Sequence, residues 1–322
     1  MAAGDQLIGA LASGRFVSGE SIAAELGITR AAVWKQIRSL RARGIAVDAV
    51  RGRGYRLHGG TPLLDDARIV AALHLPVRTR LQSLEVAWSV DSTNARLLAA
   101  AQPGPAVCVA EFQSAGRGRR GRAWYAPFGA SVCLSVAYPF MHTPPGFGSI
   151  GLVAGVAAVD ALAGLGYRGV ALKWPNDLVV DGAKLGGLLV ESRTEAGGQT
   201  RAVAGIGLNW RLPAGADAAI DQRWTDLAAL PAALPARDAV VAALINAMMA
   251  AFDEFSGKGF TPFRARWRAV DALVGRAVTV RLDDDAVDGT AAGIDDDGAL
   301  RVATPDGIRR FTAGEVSVRE RA

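Results

Sequence analysis

Cysteine is nearly absent from this 322-residue chain, which holds only Cys108 and Cys133. Two thiols are too few for a disulfide framework, and neither has metal-ligand spacing with any of the three histidines. Both sit in apolar runs that read as strands, so they are expected to be small core residues in a reducing compartment. The N-terminus also lacks a basic segment leading into an apolar one, which argues against a secretory signal. No uninterrupted apolar run is long enough to span a bilayer. The longest, residues 150–165, is broken by Asp160 and rich in Gly and Ala, the pattern of a buried helix. These absences lead to the expectation of a cytoplasmic protein with no membrane association.

What is present is a chain that is half apolar, enough for a substantial core and for two or three domains. Its charge is unevenly placed. Residues 1–60 hold nine of the 36 Lys and Arg but only four of the 31 acids, and the remaining residues carry 27 of each sign. The whole formal charge of +5 therefore lies in the first sixty residues. A local positive field of that kind attracts a polyanion, most often nucleic acid.

The same sixty residues carry a recognisable pattern. Leu7, Ile8 and Leu11 read as one short helix. Ser18 offers an N-cap to a second containing Ile22, Ala23 and Leu26, closed by Gly27. A third begins at Thr29, with Val33, Ile37 and Leu40 on one face. Two extended stretches, 45–50 and 55–58, then flank Arg51-Gly52-Arg53-Gly54, which is hairpin chemistry. Helix, helix–turn–helix and basic hairpin outline a winged helix. Thr29, Arg30, Ala31, Trp34 and Lys35 are the candidate base readers, and Arg53 at the wing tip suits phosphate or the minor groove. Trp34 could alternatively pack into the core, and the unit could be a protein-contact hairpin.

After a short linker, Gly59-Gly60-Thr61-Pro62, strands are expected over 86–90, 107–112, 131–138, 170–174, 178–180, 185–192 and 202–208. Helices are expected over 93–101, 150–165, 237–255 and 263–267. That alternation describes a mixed sheet with helices packed on it. Residues 214–236 are rich in Ala and Pro and give no structural signal. Five short strands between 278 and 319, separated by Asp- and Gly-rich turns, suggest a small barrel.

Within this frame, Gly116-Arg117-Gly118-Arg119-Arg120-Gly121-Arg122 leaves a strand with three glycines and four arginines. Glycine lets backbone approach a ligand closely, and guanidinium groups grip phosphate or carboxylate in pairs. Alone, the run is a basic solvated segment and is expected to be poorly ordered, because its charges repel and it buries little. Other polar clusters occur at similar strand ends: Asp91-Ser92-Thr93-Asn94, Lys173-Trp174-Pro175-Asn176-Asp177, Lys184-Leu185-Gly186-Gly187 and Gly205-Ile206-Gly207-Leu208-Asn209. Each alone reads as a helix cap, a turn or a solvated charge.

Together and in this order, these segments resemble those of the biotin–protein ligases. The likeness continues through Gly293-Ile294-Asp295 and Gly298-Ala299-Leu300 to Gly314-Glu315-Val316-Ser317-Val318-Arg319. With the winged helix in front, the chain is similar to the ligases that double as biotin-operon repressors. The resemblance implies an α+β chain with a winged helix–turn–helix over 1–60. It also implies a mixed-sheet ligase domain like the class II aminoacyl-tRNA synthetases over 61–271, and a small SH3-like β-barrel over 272–322.

It further implies a two-step reaction. Biotin carboxylate attacks the α-phosphate of MgATP to give biotinyl-5′-adenylate, and a lysine of a biotin carboxyl carrier protein then takes the biotin. By that resemblance Ser92, Thr93, Asn94, Gln113, Gly116, Arg117, Gly118, Arg119 and Lys184 bind biotin. Arg119, Arg120, Arg122, Trp124, Asn176, Asn209 and Arg319 serve ATP and the adenylate. Lys184 and Arg119 are the catalytic cations, and the Mg2+ ligands are unassigned. A ligand-promoted homodimer on operator DNA is implied as well. The rival readings are a non-catalytic sensor, a lipoate ligase, and a biotin ligase whose winged helix no longer regulates transcription.

Overall fold

The computed structural model describes residues 3–12, 14–42, 45–58, 62–100, 102–194, 199–281, 286–312 and 317–320. Three helices open the chain: α1 (Ala3–Leu11), α2 (Gly19–Leu26) and α3 (Arg30–Ala42). Ser18 caps α2 by accepting from Ser21 N at 3.0 Å, and Gly27 ends it at φ 66°, a conformation that suits glycine. Val33, Ile37 and Leu40 recur at helical spacing and are buried with Leu7, Leu11 and Ile22 in a separate small core. Antiparallel strands β1 (Val47–Val50) and β2 (Gly54–Leu57) form the wing. Gly54 is required at its root: at φ 100°, an added Cβ would stand 2.0 Å from Val17 O.

Two short helices follow, α4 (Asp66–Ala71) and α5 (Leu75–Arg80), which the periodicity of the sequence did not announce. Their signals are local: Asp65 N-caps α4, accepting from Arg68 N at 2.9 Å, and Pro76 stands in the first turn of α5. The central sheet comprises β3 (Ser83–Ala87), β4 (Ala106–Ala110), β5 (Ser131–Phe140), β6 (Ala171–Lys173), β7 (Asp177–Val180), β8 (Ala183–Thr194) and β9 (Thr200–Asn209). Its order is β3-β4-β5-β9-β8-β7-β6, parallel between β3 and β4 and antiparallel elsewhere, which is the mixed sheet expected. Helix α6 (Thr93–Ala99) connects the parallel pair.

Alternation along the strands assigns the two faces. Val132, Leu134 and Val136 of β5, with Ala204, Ile206 and Leu208 of β9, face the main core. There α7 (Ile150–Gly164), α8 (Arg237–Lys258) and α9 (Thr261–Ala269) cover them. The helical stretches Phe147–Gly164 and Arg237–Lys258 are long and apolar enough to cross a membrane by composition, yet both are core helices packed on each other and on the sheet. The opposite face carries Ser135, Gly205, Gly207, Leu189 and Glu191, most of them small or polar. Helix α6 closes one part of it over Cys108, Ala137 and Val203, and the rest is left as a cleft.

The C-terminal sheet is five-stranded and antiparallel, ordered β13-β12-β11-β10-β14. Its strands are β10 (Ala277–Arg281), β11 (Ala286–Ile294), β12 (Leu300–Thr304), β13 (Gly307–Phe311) and β14 (Ser317–Glu320). It is docked through the β11–β12 turn, where Gly298 O accepts from Trp174 Nε1 at 3.1 Å.

Candidate active site and nucleic-acid interface

The cleft has a volume of about 1040 Å³ and is walled by all four polar clusters named above together with the Gly–Arg loop. At one end, Ser92 caps α6, its Oγ accepting from Ala95 N at 3.4 Å, which is the bland role foreseen for it. Thr93 lies one residue on, with its backbone N donating to Gln113 Oε1 at 2.8 Å and its Oγ1 3.1 Å from the same oxygen. Asn94 Nδ2 donates to Leu189 O at 3.1 Å and to Glu191 Oε2 at 2.8 Å. Ser135 Oγ, fully buried, stands 2.6 Å from Asn94 Oδ1 and 2.7 Å from Thr93 Oγ1. Hydroxyl and amide groups thus form one connected cluster without a formal charge at the ligand-facing positions. Such a cluster suits a neutral polar ring.

The Gly–Arg loop is folded, contrary to the expectation from charge repulsion. Backbone bonds overcome that repulsion: Gly118 N donates to Arg122 O at 2.7 Å and Trp124 N to Gly116 O at 2.9 Å. The turn between them puts Arg120 at φ 57° and Gly121 at φ 70°. Arg119 is carried inward to within 3.5 Å of Asn176 Oδ1. Burial lowers its pKa from the ordinary guanidinium value against the pull of Asp177, and Arg120 and Arg122 push it further down. Arg117, Arg120 and Arg122 are exposed along the cleft rim.

Opposite the loop, the Lys184 ammonium lies 2.8 Å from Asp177 Oδ1 and 5.8 Å from the Trp124 ring centroid. Asn176 is locked to β8, its Nδ2 donating to Leu188 O at 2.9 Å and its carbonyl accepting from Leu188 N at 2.8 Å. Trp124 packs directly against Gly207, where an added Cβ would come within 2.4 Å of the indole. Asn209 Nδ2 donates to Thr225 O at 2.9 Å. Among the described residues the buried Asn209 Oδ1 and Trp124 Nε1 have no hydrogen-bond partner within the protein. Arg319 pairs with Thr279 through β14 and β10, but its side chain lies outside the described residues. All the other biotin and nucleotide residues foreseen from the sequence line this cleft except Gly116, which packs against Gln113 and the Trp124 carbonyl.

Several participants were missed. Ser135 and Glu191 signalled themselves only as polar residues inside otherwise apolar strands. Asp177 stood in a quoted motif without a role. Residues 219–224, from the stretch that gave no signal, form a wall of the cleft, with Lys184 N donating to Arg223 O at 2.9 Å. Three acids line the cleft, Asp177, Asp181 and Asp221. Among the described residues no three His, Cys, Asp or Glu cluster as a metal cage.

On the N-terminal unit, Thr29, Arg30, Ala31, Trp34, Lys35 and Arg53 are all exposed. Trp34 is 51% exposed, so it is not a core residue, and the Arg38 guanidinium lies 4.7 Å over its ring. Thr29 Oγ1 caps α3, accepting from Ala32 N at 3.2 Å. Arg53 lies 4.5 Å over the Phe16 ring. These exposed residues include the basic Arg30, Lys35 and Arg53, the first two on α3.

Comparison with known proteins agrees with this reading. The biotin/lipoate A/B protein ligase family matches residues 86–209, the biotin protein ligase C terminal domain matches 273–319, and an HTH domain matches 5–56. The bifunctional ligase/repressor BirA of Salmonella typhimurium is 37% identical over 318 residues, covering 97% of this chain and 96% of that one. That of Bacillus subtilis is 30% identical, covering 95% of each. The biotin protein ligase from Aquifex aeolicus in complex with biotin and ATP superposes with a TM-score of 0.65 at 26% identity. It covers 74% of this chain and all of its own. The chain therefore belongs to the biotin protein ligase family, on the side of the bifunctional ligase/repressors that carry an N-terminal helix–turn–helix domain.

Proposed function

We propose that the chain activates biotin with ATP to biotinyl-5′-adenylate, transfers biotin to a lysine of a carrier protein, and represses biotin genes through its winged helix. The observation that carries the catalytic part is the layout of the cleft. A neutral hydroxyl–amide cluster at one end faces a cationic end built from Arg119, Lys184 and the loop rim.

In this reading Ser92, Thr93, Asn94, Gln113 and residues Gly116–Arg119 form the biotin end, with Leu188 and Leu189 beside them as apolar wall. Lys184 meets the carboxylate where it joins the phosphate. Arg119, Arg120, Arg122, Asn176 and Asn209 hold the nucleotide, and Trp124 covers it. Arg319 is assigned to the same nucleotide. Fixed cations stabilise the negative charge that grows on phosphoryl oxygens, and they need no reorganisation as it grows. Asp177 keeps Lys184 aimed across the cleft in the meantime. Mg2+, when bound, would offset phosphate charge, with Asp177, Asp181 and Asp221 as the available carboxylates. The three functional units are assigned to 1–60, 61–271 and 272–322. The two buried free cysteines and the use of ATP suit the cytoplasm.

The test is incubation with biotin, MgATP and a biotin-carrier domain, followed by mass spectrometry of the nucleotide and protein products. Biotinyl-adenylate and a carrier heavier by one biotin are expected, and the absence of both would overturn the reading. For repression, the exposed Arg30, Lys35 and Arg53 suit DNA, and ligand-promoted dimerisation would bring two such units onto two half-sites. A gel shift on a biotin-gene promoter should require biotin and ATP. No shift, or a shift indifferent to both, would leave a ligase whose winged helix does not regulate.

A further inference from the structure

Asn94 is the fixed point of the hydroxyl cluster. Its Nδ2 faces Leu189 O at 3.1 Å and Glu191 Oε2 at 2.8 Å, two acceptors that only the NH2 end of the amide can satisfy. Its Oδ1 therefore faces Ser135 Oγ at 2.6 Å. An amide oxygen only accepts, so Ser135 donates to Asn94, and its hydroxyl also donates to Thr93 Oγ1 at 2.7 Å. A threonine oxygen that accepts from Ser135 must send its own hydrogen elsewhere. That hydrogen goes to Gln113 Oε1, 3.1 Å away, which also accepts from Thr93 N at 2.8 Å. What Thr93 turns toward the cleft is then its remaining lone pair.

We propose that Ser135, oriented by Asn94 and backed by Glu191, is a specificity-determining positioning residue that holds the Thr93 hydroxyl as an acceptor and so selects a ligand ring with an N–H at that point. A cyclic urea presents two such donors. A ring bearing an ether oxygen or an alkylated nitrogen there would leave Thr93 unpaired, a mismatch that polar sites reject strongly. The sheet builds the device deliberately in register: Ser135, Gly205 and Leu189 lie in one row across β5, β9 and β8. Glycine is needed in the middle of that row, because a Cβ there would stand 2.3 Å from Asn94 Oδ1.

The inference rests on the cleft being the biotin site, and a binding cycle separates the two. Calorimetry with the full chain gives the biotin Kd for the unaltered protein, Ser135→Ala, Thr93→Val and the double variant. Ser135→Ala should weaken biotin about tenfold, the worth of one hydrogen bond. In the Thr93→Val background the same change should add nothing, because Ser135 acts through the hydroxyl already removed. ATP affinity should stay constant throughout. Additive losses, or a Ser135→Ala variant within twofold of the unaltered protein, would overturn the proposal while leaving the ligase reading intact. No biotin binding by the unaltered protein would instead overturn that reading, and the proposal with it. If Ser135→Ala does not fold, Ser135→Cys keeps the packing with a weaker donor and carries the same cycle.

Discussion

At Arg119 the local environment disfavours the charge the site requires. Burial and two neighbouring arginines lower the guanidinium pKa, while Asp177 pulls the other way. An anionic ligand relieves that opposition, so the residue contributes to binding what it does not contribute to the fold. Arg119→Ala should therefore weaken adenylate retention about 10–100-fold, the loss of one charge-assisted hydrogen bond. Unfolding should stay within ~0.5 kcal/mol of the parent. Equilibrium dialysis with adenylate beside urea denaturation checks the pair, and equal losses in both would assign Arg119 to the fold. Gly207 makes the complementary case. With Trp124 carbons 2.4 Å from a would-be Cβ, Gly207→Ala must push the indole off the strand. ATP affinity measured calorimetrically should drop about tenfold, the effect of ~1.4 kcal/mol, with biotin affinity little changed. Both residues were legible beforehand because their motifs are contiguous. Ser135 and Glu191 were not, since each meets Asn94 only after strands far apart in sequence pair.

Elements position the site as much as residues do. Helix caps, the wing hairpin and the alternating strands follow from local chemistry, and most strands came within two or three residues of their expected bounds. Helices α4 and α5 and the wall at 219–224 did not, because their stability comes from packing on α8 and β8 and not from periodicity. The turn between β11 and β12 shows how such packing reaches the cleft. Gly298 sits at φ 85° with a would-be Cβ 2.8 Å from Leu152 and 2.9 Å from Ser149, while its carbonyl receives Trp174 Nε1. Trp174 in turn precedes Asn176 and Asp177. Gly298→Ala faces both a strained backbone and an occupied site, together about 1–3 kcal/mol. It should lower Tm and also lower kcat/KM for adenylate formation, since the Trp174 segment must shift. A normal rate in the folded variant would show that the C-terminal sheet does not position that segment.

Across the whole molecule, one buried ion pair joins three parts of the chain that no local pattern links. Glu111 and Arg237 are each 2% exposed at the side chain and meet at 2.6 Å. Glu111 Oε1 also accepts from Leu64 N at 2.6 Å, and Arg237 Nη2 donates to Pro62 O at 2.7 Å. Thus the pair ties the end of the linker and the residues that follow it to the first turn of α8 and to the end of β4, two residues before Gln113. Sequence alone could not disclose this, because 126 positions separate the partners and each charge looks solvated by itself. Removing one partner strands the other in a low-dielectric interior, so Glu111→Ala or Arg237→Ala should cost about 3–5 kcal/mol. The pair's own net worth is smaller, because its attraction is offset by the desolvation of both charges. A Glu111→Leu/Arg237→Met double variant should therefore recover part of the loss on chemical denaturation. Singles within ~1 kcal/mol of the parent would mean that water reaches the pair and screens it as it would at the surface.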